Sequence, residues 1–77
     1  MITVRCFAGL REQMGWEVRQ IPAGPDSVRA VWEIATNGAP VPTHLLAAIN
    51  LDYADLDAPV TDGDEVAFFP PVTGGAS

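Results

Sequence analysis

The stretch DSVRAVWEIATNG, residues 26–38, decides the architecture. Val28, Val31, Trp32 and Ala35 recur at i, i+3, i+4 and i+7, which is the apolar stripe of one helix face. Asp26 or Ser27 supplies a side-chain oxygen to cap the free N–H groups of the first turn. Asn37 and Gly38 tolerate the left-handed backbone that closes a helix, and the prolines of GAPVPT (38–43) stop it. This is the one clear helix in the chain. The segments on either side of it read as strands.

Toward the N-terminus, MITVRCF (1–7) alternates, with Ile2, Val4 and Cys6 on one face and Thr3, Arg5 and Phe7 on the other. WEVRQIP (16–22) alternates too, setting Trp16, Val18 and Gln20 against Glu17, Arg19 and Ile21. The intervening AGLREQMG (8–15) is too long for a tight hairpin and predicts a wider loop with room for a helical turn. Toward the C-terminus, HLLAAIN (44–50) predicts a strand, Tyr53 centres a short one, Asp62-Gly63-Asp64 forms a tight turn, and EVAFF (65–69) is the last strand. The pattern predicts an α+β domain over residues 1–69, with a mixed sheet of about five strands and one main helix packed on one face. Residues 70–77 form an extended tail.

Composition narrows the function. A chain of 77 residues makes one domain and buries only about 60% of its unfolded surface. Cys6 has no partner for a disulfide, and with His44 it is too little for a Cys/His metal cage, so no metal site is expected. The carboxylates of DLDAPVTDGDE (55–65) lack the order of a calcium loop and read as turn chemistry. No signal-like segment opens the chain, and its longest apolar run, VAFFPPV, is far short of a membrane span, which predicts a cytoplasmic protein away from the membrane. Ten acidic residues against four arginines give a net charge of −6, which disfavours nucleic acid and suits a basic protein partner or simple solubility.

Alternation raises one anomaly. If Val66 and Phe68 face the helix, Phe69 faces outward beside Glu65 and Ala67. Strand one likewise leaves Phe7 outside. Two outward phenylalanines predict a partner-docking patch, unless each ring folds over a neighbouring loop or a bulge turns it inward. Cys6, on the inward face, reads as a small core residue. Beyond Phe69, Pro70 and Pro71 favour a stiff polyproline-like path, and the six residues from Pro70 to Gly75 reach on the order of 19 Å at ~3.1 Å each. Gly74 and Gly75 carry no Cβ and can pass through a narrow channel. A stiff stem with a bare tip suits delivery of a chain terminus into another protein's active site.

FAGLRE (7–12), LLAAIN (45–50) and above all TDGDEVAFFPPVTGG (61–75) make the chain resemble, over its whole length, the family of molybdopterin synthase small subunits. These are ubiquitin-like β-grasp sulfur carriers. Thiamine-type sulfur carriers look alike in fold and terminal Gly-Gly, but the FFPPV stem is characteristic of the molybdopterin branch. The resemblance implies that Gly75 is the acyl position. An E1-like enzyme would adenylate it with Mg-ATP, a persulfide donor would convert it to a thiocarboxylate, and no cofactor would be bound by the carrier itself. The sulfur would then go to cyclic pyranopterin monophosphate in the large subunit, the chemistry lying largely there, within a heterotetramer.

On the same grounds Pro70, Pro71, Val72, Thr73 and Gly74 thread into partners, and Phe7, Tyr53 and Phe69 dock on them. Arg11 and Glu65 match the family pattern at the rim of that surface, and otherwise read as solvated charges. Ala76 and Ser77 depart from the pattern, because they leave Gly75 in an ordinary peptide bond. Three readings stay open: an extension that a protease removes, residues added on expression, or a copy that acts through its docking surface alone. The competing function classes are a non-catalytic interaction module and a ubiquitin-like protein modifier.

Overall fold

The computed structural model describes residues 1–70. The tail positions Pro71, Val72, Thr73, Gly74 and Gly75 lie outside the described residues, as does the rest of the 70–77 segment beyond Pro70. Along the chain the elements are β1 (Ile2–Cys6), α1 (Ala8–Met14), β2 (Val18–Ile21), α2 (Val28–Ala35), β3 (Leu46–Ile49), β4 (Asp52–Ala54) and β5 (Glu65–Phe69). They form one five-stranded sheet in the order β2-β1-β5-β3-β4. β1 and β5 pair in parallel at its centre, and every other pair is antiparallel. The α+β mixed sheet expected from the pattern is present.

The alternation of β1 has a physical reading. Ile2, Val4 and Cys6 are fully buried, and they join Val66 and Phe68 of β5 beneath the stripe of Val28, Val31, Trp32 and Ala35 on α2. Trp32 meets Phe68 edge to face at 5.0 Å and 80°, a favoured geometry for two ring quadrupoles. Its indole N–H donates to the Ala39 carbonyl at 2.9 Å, so the large ring is buried without an orphaned donor.

Of the two candidate caps, Ser27 is the one used: its hydroxyl oxygen accepts from the Ala30 N–H at 3.1 Å. The Val28 and Arg29 N–H groups donate to the Ala58 and Leu56 carbonyls. At the other end Asn37 and Gly38 both take positive φ, and the Gly38 N–H returns to the Glu33 carbonyl at 2.8 Å, as an αL termination requires.

Two details differ from the sequence reading. Residues 8–14 form a helix throughout, where a wider loop with room for a helical turn was expected, with Leu10 buried in the core, Met14 packed against it, and Gly15 closing the helix at φ 86. A helix of seven residues is far below the length that is stable alone; burial of Leu10 and Met14 at i and i+4 is what holds it. Alternation also left the inward face of residues 16–22 open. The register Ile2↔Ile21 and Val4↔Arg19 settles it: Ile21 is buried and Val18 is exposed. Arg19 satisfies its inward position by donating to the Ala35 carbonyl at 3.0 Å and lying over the Trp16 ring at 4.7 Å. On an edge strand a long cationic stem can cover the core margin while its head finds acceptors.

Candidate functional site

The outer face of the sheet follows directly from register. One cross-strand row runs Arg5–Ala67–Ala48–Tyr53 over β1, β5, β3 and β4. The two alanines in its middle are short, and the side chains at its ends are long. That contrast makes a concavity of ≈ 460 Å³ lined by Arg5, Phe7, Ala48, Leu51, Tyr53, Glu65, Ala67 and Phe69. Its walls are mostly apolar, although this is the face the helices do not cover.

Three rings string along it. Phe7 and Phe69 stack face to face at 5.0 Å with their planes 8° apart, and Tyr53 tilts against Phe69 at 6.1 Å. Phe69 is half-buried by these neighbours, while Phe7 is 37% and Tyr53 78% exposed. Both phenylalanines assigned to the outer face by alternation are therefore there, each covered chiefly by another ring and not turned into the core. Pro70, half-buried, continues directly from Phe69, so the tail starts at the aromatic string.

One ion pair interrupts the apolar floor. The Arg5 guanidinium Nε donates to the Glu65 carboxylate, which holds both polar ends in register along the rim. Arg11 is elsewhere: it projects from α1, pairs with Glu17 at 3.8 Å, and does not line the concavity. Sequence reasoning missed Arg5, Ala48, Leu51 and Ala67. Of these, Arg5 and Ala67 fell on the outward faces by alternation, but only register with β3 shows that a second alanine stands beside Ala67.

Two titratable groups outside the concavity serve the fold. Burial pushes the Cys6 thiol up, with the Arg19 charge opposing, so the thiolate is disfavoured and the residue serves the core as expected. The Thr61 N–H donating to Asp64, and then the Asn50 amide, hold the Asp64 carboxyl below the usual range. This is turn chemistry, as read. Among the described residues no group of three His, Cys, Asp or Glu side chains could hold a metal ion, and no helix is long and apolar enough to cross a membrane.

The model of the ThiS family matches residues 4–75. The chain belongs to the ThiS family. Within it, the molybdopterin synthase sulfur carrier subunit of Escherichia coli (strain K12) is 41% identical over 85 residues, covering 97% of this chain and 100% of that protein. Among solved structures, this ThiS-family chain is similar to SAMP1 from Haloferax volcanii (TM-score 0.78, 24% identity, 96% and 98% of the two chains), which shows the shared fold. It is also similar to a chain of the complex of subunits 1 and 2 of molybdopterin-converting factor from Helicobacter pylori (TM-score 0.65, 26% identity, 96% and 97% covered).

Proposed function

We propose that this chain is the sulfur carrier subunit of a molybdopterin synthase, docking through its outer aromatic face and delivering sulfur from Gly75. The observation that carries the reading is the string Phe7–Phe69–Tyr53, left partly to largely exposed on the sheet where the tail begins. A fold that needed these rings only for stability would bury them. Support comes from the relative bearing that name at 41% identity, which also favours the molybdopterin branch over a thiamine-type carrier. The partner is a large synthase subunit, by the likeness to a chain of the Helicobacter pylori subunit complex.

The chemistry follows from the carboxylate at Gly75. A carboxylate resists attack because oxide is a poor leaving group, so an E1-like enzyme joins one of its oxygens to the α-phosphorus of Mg-ATP and releases pyrophosphate. A persulfide sulfur attacks the acyl carbon and AMP departs. A thiol then reduces the resulting disulfide and leaves the thiocarboxylate. Held covalently on the tail, that sulfur is a nucleophile delivered at high effective concentration. Phe7, Tyr53 and Phe69 anchor the carrier on each partner, Glu65 sets register at the rim, and Pro70 to Gly74 thread the channel. Arg11 lies off this surface, so it contributes at most at the periphery. Because Ala76 follows Gly75, this chemistry requires a Gly75 carboxylate freed from the Gly75–Ala76 bond.

The test is reconstitution. The chain ending at Gly75, incubated with its activating enzyme, ATP, a sulfur donor and the large subunit, should convert cyclic pyranopterin monophosphate to the dithiolene product. The chain ending at Gly74 should not. Product from the shorter chain defeats the reading, and attachment to protein lysines instead would identify a modifier.

A further inference from the structure

The β3–β4 hairpin turns on only two residues, Asn50 and Leu51, since Ile49 pairs directly with Asp52. Both have positive φ, 50 and 76, which is the type I′ geometry matched to strand twist. The second position of such a turn is the habitual place of glycine, and a branched aliphatic side chain there is strained. Leu51 is nonetheless present, and it is 89% exposed. Among the described residues its apolar surface is left almost wholly in water.

The turn is also held fast. The Asn50 N–H donates to the Glu65 carbonyl at 2.8 Å, the Asn50 side-chain oxygen accepts from the Glu65 N–H at 3.0 Å, and its amide donates to Asp64 at 3.1 Å. Leu51 is thereby fixed at one end of the apolar concavity. Strain retained at an exposed site points to a use outside the fold.

We infer that Leu51 is a docking anchor that sets partner specificity, inserting into an apolar pocket of the large synthase subunit beyond the reach of the aromatic string. The inference rests on the docking face of the proposed function and extends it by one preformed knob. Exposed Asp52 adjoins Leu51, the Asp64 carboxylate accepts from the Asn50 amide of the turn, and the chain carries a net charge of −6, so the receiving pocket is apolar with a cationic rim. A turn backbone already held in place loses little entropy on docking, which helps a small anchor to be effective.

The test uses the full chain with its large subunit, measured by calorimetric titration and by thermal melting. Leu51→Gly creates the favoured Asn-Gly turn, and Leu51→Asn keeps a residue that tolerates the left-handed backbone. Both should bind at least about ten-fold more weakly, while the Leu51→Gly melting temperature stays level or rises. Leu51→Met, which keeps the apolar surface, should retain most of the affinity. Binding of the Gly and Asn variants within about two-fold of the parent, or equal losses for Met and Asn, overturns the anchor. Phe69→Ala in the same titration separates the two ideas. If it weakens binding and the Leu51 variants do not, only the anchor fails. If the parent chain does not bind, the docking face and the anchor fall together.

Discussion

Phe68 and Phe69 are neighbours in β5 with opposite duties, and truncating each in turn measures the division. Phe68 is 0% exposed and packs on Trp32; replacing it with alanine should cost about 3–5 kcal/mol. A 77-residue domain has a total stability of about 4–12 kcal/mol, so this variant should sit near unfolding. Phe69 is half out of water already. Its burial contributes about 1 kcal/mol, and its contacts with Phe7 and Tyr53 about another 1 kcal/mol. Phe69→Ala should therefore remain folded, melting roughly 8–16 °C lower.

Partner binding should reverse the order of importance for the folded variant. Docking covers the exposed remainder of the ring, about 1 kcal/mol more, so Phe69→Ala should bind the large subunit about five-fold more weakly. Urea denaturation and calorimetric titration on the same preparations read both quantities. A Phe69→Ala chain that loses as much stability as Phe68→Ala while binding normally would refute the assignment of Phe69 to a docking face.

Three further outcomes follow from the described residues. Cys6, buried and with its pKa raised, should resist iodoacetamide at mildly alkaline pH until urea unfolds the chain; rapid labelling of the native protein would contradict its core placement. Ser27→Ala should cost about 1 kcal/mol, the usual value of a lost helix cap, read as a drop of roughly 4–8 °C in melting temperature. Asp64 has a folded pKa below its unfolded one, so its contribution is present above the ordinary carboxylate value of about 3.9 and disappears as pH falls through the folded value. Asp64→Asn should be less stable at neutral pH and should lack that part of the acid transition, a difference visible in melts recorded at stepped pH.

What the sequence disclosed and what it hid divide along sequence separation. The α2 stripe, its N-cap to within Asp26 or Ser27, and the alternation of β1 and β5 are local, and each was legible. The outward placement of Phe7 and Phe69 came from period alone, before any partner strand was known. α1 was hidden because its seven residues form a helix only when Leu10 and Met14 reach the core. The inward face of β2 was hidden because Val18 and Ile21 compete, and only the register with β1 decides.

The concavity itself needed three registers at once. No local pattern places Ala48 beside Ala67, or Arg5 against Glu65 across the parallel pair of β1 and β5. Leu51 escaped for another reason: Asn-Leu lacks the glycine that normally announces a two-residue hairpin. A residue that violates a local rule is found only when the backbone is seen.

The account turns on Gly75 becoming a thiocarboxylate. The most direct measurement is the intact mass of the untagged protein from its own cells, taken before and after incubation with its activating enzyme, ATP and a sulfur donor. The account predicts a chain ending at Gly75 that gains the mass of one oxygen-to-sulfur exchange. A chain that keeps Ala76 and Ser77 and never changes mass would contradict it.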